Sequence, residues 1–143
     1  MELDSGTVRS LELLPNRGFQ TSGKDVSLLS FIDRTKTAMG GRGLRDWILR
    51  PLTSKPEILA RLNQVEALKN GEKFNALAAS LAEIYDLERL ISRIAMAMSN
   101  ARDLRAMAGS ILSARALHSI FVSFKDADCG LALTIAPCLR PEI

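Results

Sequence analysis

The glycine cluster Met39-Gly40-Gly41-Arg42-Gly43 is the first place to look for chemistry. A phosphate loop needs Gly-x-x-x-x-Gly-Lys-Ser/Thr behind a buried strand, so that backbone N–H groups and a lysine meet the phosphates. No lysine follows this cluster and no strand of that kind precedes it, so it reads as a helix start at a tight turn. His118 is the sole histidine, which excludes a multi-histidine metal site. It has no Ser or Cys in a recognisable nucleophile elbow and reads as a packed or half-exposed interface histidine. Asp86 and Glu88 stand two residues apart. On a helix such positions do not face each other, so paired-carboxylate catalysis gains no support. Asp86 with Arg89, three apart, reads as an ion pair. Cys129 and Cys138 form no Cys-x-x-Cys motif; free thiols in a reducing compartment are the preferred reading, a single disulfide the alternative.

Arginines are the remaining candidates. Arg42, Arg45 and Arg50 fall in one expected helix, Arg89 and Arg93 one turn apart in another, Arg102 and Arg105 in a third. Arg42, Arg45, Arg89, Arg93, Arg102 and Arg105 are candidate contacts to DNA phosphates, which supply affinity without sequence information. The plain alternative is a solvated face laced with Asp46, Asp86, Glu88 and Asp103. No catalytic, cofactor-binding or metal-binding residue stands out.

The elements that would hold these residues are helical. The chain has 143 residues, one domain or a piece of a larger one, with 19 Lys plus Arg against 16 Asp plus Glu and a net charge of +3. That balance permits an anionic partner without demanding one. A 47% hydrophobic, 24% charged composition is that of a globular chain, and 5% aromatics argue against a stacking nucleic-acid platform. No apolar run approaches the ~18 residues of a membrane span. Met1-Glu2-Leu3-Asp4 lacks the basic-then-apolar order of a signal peptide.

Residues 1–14 read as a short extended lead-in, stopped by Pro15, and 16–24 as a loop. A short apolar helix around Val26–Ile32 takes Asp25 as its N-cap, and a second helix runs from Ala38 to Arg50 before Pro51. Ser54-Lys55-Pro56-Glu57 is a capping box opening a third helix, whose stripe is Ile58, Leu59, Leu62, Val65 and Leu68 and whose stop is Asn70-Gly71. A fourth carries Phe74, Leu77, Leu81 and Ile84. At Asp86 the pattern either continues or restarts with Asp86 as cap. Asn100 with Asp103 marks the start of the longest helix, Ala101 to about Lys125. Its expected packing seam is Leu104, Met107, Ile111, Ala114, His118 and Phe121. Residues 126–143, with Pro137 and Pro141, form a tail without usable periodicity. The expected fold is all-α: a helical bundle with a short extended N-terminal segment and one long helix.

The order of segments resembles the third, core or lever domain of the MutS family of DNA mismatch-recognition ATPases. The matching pieces are Leu3-Asp4-x-x-Thr7-x-Arg9-x-Leu11-Glu12-Leu13, Ser27-Leu28-Leu29, and Asp33-Arg34-Thr35-x-Thr37-x-Met39-Gly40-x-Arg42. They continue with Leu44-Arg45-x-Trp47-Ile48-x-x-Pro51-Leu52, Ile58-x-x-Arg61-Leu62-x-x-Val65, Asp86-Leu87-Glu88-Arg89-Leu90-x-x-Arg93 and Arg102-Asp103-Leu104. Gly43 departs from the family's bulky apolar residue, and Ala101 from a common proline.

The resemblance implies that residues 1–125 are the part of the core domain that precedes an inserted DNA clamp, with 126–143 unassigned. It implies a parent protein that is a dimeric DNA-dependent ATPase. That parent would bind mismatched double-stranded DNA, a second MutS subunit and a MutL-type protein, and would use ATP and magnesium in another domain. It would reside in the cytoplasm of a bacterium or the nucleus of a eukaryote. The Phe-x-Glu mismatch wedge and the Walker motifs of such proteins do not occur in these residues. The expected role here is a stiff connector without chemistry of its own. The alternatives are a stand-alone helical module that binds DNA or protein, and the lever of a MutS relative acting in recombination.

Overall fold

The computed structural model describes residues 2–15, 27–69 and 71–122. The described residues are all-α: α1 (Ser5–Ser10), α2 (Leu28–Ile32), α3 (Ala38–Leu49), α4 (Lys55–Leu68), α5 (Gly71–Ala82), α6 (Leu87–Ala95) and α7 (Ala101–Val122), with no strand. They belong to two compact units, Met1–Ser54 and Lys55–Ile143. The expected 16–24 loop, Asp25, Asn70, both cysteines and the 126–143 tail lie outside the described residues.

In the first unit the expected extended lead-in is instead helix α1. Its start is local chemistry: the Asp4 carboxylate accepts the Thr7 N–H at 2.7 Å and the Thr7 hydroxyl at 2.9 Å. Its end is a Schellman motif, with Leu13 N–H donating to Val8 O and Glu12 N–H to Arg9 O, and Glu12 in the left-handed region at φ 49°. Neither signal depends on apolar periodicity. Leu13 is buried, and Leu28 N–H to Glu12 O and Leu29 N–H to Leu13 O stitch this turn to the start of α2. The cap of α2 is Ser27, not Asp25: Ser27 Oγ accepts the Ser30 N–H and Ser30 Oγ the Ser27 N–H, a complete capping box. At the glycine cluster, Thr37 Oγ1 accepts the Gly40 N–H at 3.0 Å and opens α3. A Cβ on Gly40 would sit 3.0 Å from that oxygen and 3.4 Å from Thr35 Cβ, so a side chain there would press on the cap and its threonines would have to give way slightly.

The second unit is built on α5 and α7. Leu77 of α5 and Leu117 of α7 are buried together, with Leu68, Leu81, Ile84 and Ile120 packed around them. Helix α4 opens at Lys55, directly after Ser54, but most of its expected stripe faces outward: Ile58, Leu59, Leu62 and Val65 are all exposed. Only Leu68, at its end, reaches the core. Helix α5 ends at Ala82, and Asp86 caps a separate α6 by accepting the Arg89 N–H at 3.3 Å, which settles the question of a restart. Helix α7 begins with a reciprocal cap, Asp103 N–H to Asn100 Oδ1 at 2.9 Å and Asn100 N–H to Asp103 Oδ2 at 3.1 Å.

The most buried line of α7 lies beside the expected seam, of which Met107, Ala114 and His118 are half-buried. Leu104 and Ile111 are about half exposed (53% and 48%), whereas Ser110 and Leu117 are buried. The packed line runs through Ala106, Ser110, Ser113, Leu117 and Ile120, one position from the apolar stripe. Small side chains at 106, 110 and 113 leave room for the turn after α5, while apolar residues distributed around α7 blur the direction of its buried face. The Phe121 side chain lies outside the described residues.

Candidate functional site

The candidate arginines separate into distinct settings. Arg42 and Arg45 are on α3 of the first unit, both exposed, and Arg42 has a partner within the chain. Arg89 is exposed on α6. Arg93, one turn on, is drawn into the α6–α7 corner. Its Nη2 lies 3.0 Å from Asp103 Oδ2 and donates to Met98 O at 3.2 Å, and its Nε is buried with no hydrogen-bond partner. Asp103, only 15% exposed, thus holds both the α7 cap and the Arg93 guanidinium. The Asp103 carboxylate and the Met98 carbonyl together hold the Arg93 guanidinium in this corner.

The corner geometry depends on backbone as well. Met98 N–H donates to Arg93 O and Ala97 N–H to Ile94 O, a second Schellman motif, with Ala97 at φ 54°. This turn presents Met98 O to Arg93 and brings the chain to Asn100.

Arg102 and Arg105 come together. They line an open depression of about 470 Å³ with Glu83, Ile84, Tyr85 and Gly109 between the α5–α6 turn and the first half of α7. Ser110 anchors that turn: its Oγ accepts the Tyr85 N–H at 3.0 Å and donates to Ala106 O at 2.9 Å. Ser113 Oγ donates to Glu83 Oε2 at 3.3 Å and fixes the other end of the turn. Sequence reasoning singled out neither Ser110 nor Tyr85. Their relation spans 25 residues, and the one local hint is a serine on a packed helix face, able to bond its own i−4 carbonyl.

His118 is half-buried on α7. Two carboxyl groups in the first unit are held below their ordinary value of 3.8. At Asp33 the Thr35 hydroxyl bond is the main cause and the Thr35 N–H bond the second; at Asp4 the Thr7 N–H leads, then its hydroxyl. Both carboxylates serve turns and caps.

The sequence has no phosphate loop, and among the described residues no three His, Cys, Asp or Glu side chains cluster as a cation site. No helix among the described residues is long and apolar enough to cross a membrane.

Comparison with known proteins bears directly on this helical assembly. The family model for MutS domain III matches residues 6–137. The DNA mismatch repair protein MutS of Desulforapulum autotrophicum is 46% identical over 125 residues, covering 87% of this chain and 13% of that protein. The MutS of Brevibacillus brevis is 48% identical over 105 residues, 73% of this chain and 12% of its own length. That of Leuconostoc mesenteroides is 42% identical over 125 residues, 86% and 14%. The chain therefore spans about an eighth of the length of the curated relatives it matches. With this match across nearly all its length, the chain belongs to the MutS domain III family.

Proposed function

We propose that this chain is a lever segment of a MutS-type mismatch-repair ATPase, linking nucleotide-driven movement to the DNA-holding clamp and performing no reaction itself. The observation that carries this reading is α7. Its 22 residues form an unbroken helix, about 33 Å long at 1.5 Å per residue, braced by α5 and by the Arg93–Asp103 corner. Packed rods of that kind pass a displacement on as rigid-body motion.

Under the same reading the parent protein holds mismatched double-stranded DNA as a dimer, works with a MutL-type partner, and keeps ATP and magnesium in a separate domain. Its place is the bacterial cytoplasm or the eukaryotic nucleus. The competing reading is a helical module that grips DNA by itself through its arginines. Arg93 is spent on Asp103, which counts against it. A salt titration of DNA binding by the 143-residue chain separates the two. The lever reading expects nothing tighter than generic non-specific binding, with Kd of about 10⁻⁴–10⁻⁶ M at physiological salt, and a shallow salt slope. Nanomolar binding with a steep slope would establish the stand-alone module instead.

A further inference from the structure

The depression between the α5–α6 turn and α7 has the makings of a recognition site that lever action does not use. Arg102 and Arg105 stand three apart on α7 and are exposed, and among the described residues neither makes a hydrogen bond or ion pair. Tyr85, 63% exposed, lies opposite on the turn that Ser110 pins down. Apolar surface comes from Ala82, Ile84 and Ala106.

Gly109 is the second, separate observation. It lies inside a long helix, where glycine is unfavourable relative to alanine. No atom of the described residues lies within 4 Å of the Cβ it lacks. Internal packing therefore does not require glycine at this position. What its absent side chain keeps open is the depression, one turn from both Arg105 and Ser113.

We infer that this depression binds a carboxylate side chain of a partner polypeptide, flanked by apolar residues. The charge count favours one carboxylate over a nucleic acid. Two guanidinium groups face a single carboxylate, Glu83, which Ser113 holds in place. The surplus of one positive charge matches one acidic side chain, and Glu83 would repel a run of phosphates. Arginine suits the geometry of a carboxylate, the exposed tyrosine provides a flat apolar wall, and the volume of about 470 Å³ accommodates a few side chains rather than a duplex. The site stands whether or not the chain transmits motion.

The test is a titration of the isotope-labelled 143-residue chain, followed by amide NMR shifts. The probes are a capped pentapeptide alternating leucine with glutamate, its glutamine counterpart, and a short DNA duplex. The glutamate peptide should shift Tyr85, Arg105 and Gly109, with the glutamine peptide at least about tenfold weaker, the loss of one charge-assisted contact. Gly109→Leu should fill the depression and abolish binding with the helix signal retained. The surface variants Arg102→Gln and Arg105→Gln should each weaken binding about tenfold without touching the core. The proposal is overturned if the glutamate peptide fails to bind, if the two peptides bind alike, if both arginine variants bind as the parent chain does, or if the duplex alone shifts these amides.

Discussion

The hydroxyl of Ser110, completely buried midway along α7, accepts a hydrogen bond from the Tyr85 N–H at 3.0 Å. The same oxygen donates to Ala106 O, so both of its capacities are used. One serine therefore fastens the turn between α5 and α6 to the long helix, without charge and almost without volume. Ser110→Ala removes the acceptor and strands the turn's N–H. It should destabilise the chain by about 1–2 kcal/mol, seen as a lower urea midpoint at unchanged slope. An unchanged midpoint would mean that the turn is held by something else.

Two helices end on a left-handed residue that is not glycine. Ala97 (φ 54°) follows α6 and Glu12 (φ 49°) follows α1. A Cβ in that region crowds the following carbonyl. Ala97→Gly relieves that crowding while loosening the unfolded chain, and a net gain of about 0.5–1 kcal/mol is expected. Ala97→Val should lose stability instead, because branching worsens the same contact. Chemical denaturation of the pair reads both signs; a destabilised glycine variant would contradict the Schellman geometry at this corner.

The Asp33 carboxylate accepts the Thr35 hydroxyl at 2.7 Å and the Thr35 N–H at 2.9 Å, and its pKa is lowered below 3.8. A carboxyl depressed on folding contributes stability above its unfolded pKa, and that contribution disappears as pH falls through the lower folded value. The effect of Asp33, and of Asp4 beside Thr7, is therefore confined to the acid limb below about pH 4. Thr35→Val should return Asp33 towards 3.8 and leave neutral-pH behaviour of the carboxyl unchanged. Carboxyl-carbon NMR titration checks this. An Asp33 that already titrates at 3.8 in the unsubstituted chain would count against the bond pattern.

What the sequence made legible was largely what is local. Asn100 and Asp103 sit three apart and form the reciprocal cap that their spacing advertises, and the glycine cluster opens α3 behind Thr37. Helix α1 escaped because Asp4 and Thr7 mark its start, while its short span shows no apolar face. The most buried line of α7, through Ser110 and Leu117, lies one position from the apolar stripe for a different reason. Large side chains such as Leu104 and Ile111 dominate any hydrophobic pattern, yet Ala106, Ser110 and Ser113 permit the close approach. The family's pattern also covered Arg93 and Asp103, yet nothing in it placed one against the other, because the partnership is created by the corner between α6 and α7.

The stiffness of α7 is the centre of the account, and Ser113 is the place to break it. Proline there removes a helical N–H and clashes with the preceding turn, at about 3 kcal/mol or more, whereas Ser113→Ala loses only the contact to Glu83. The decisive measurement is ATP-triggered release of DNA, followed by stopped flow, in the full-length parent protein carrying Ser113→Pro. A rigid lever predicts near-normal binding of ATP and of DNA measured separately, but no acceleration of release by ATP, with Ser113→Ala behaving as the unsubstituted protein. Release that ATP accelerates as strongly in Ser113→Pro as in the unsubstituted protein would contradict it.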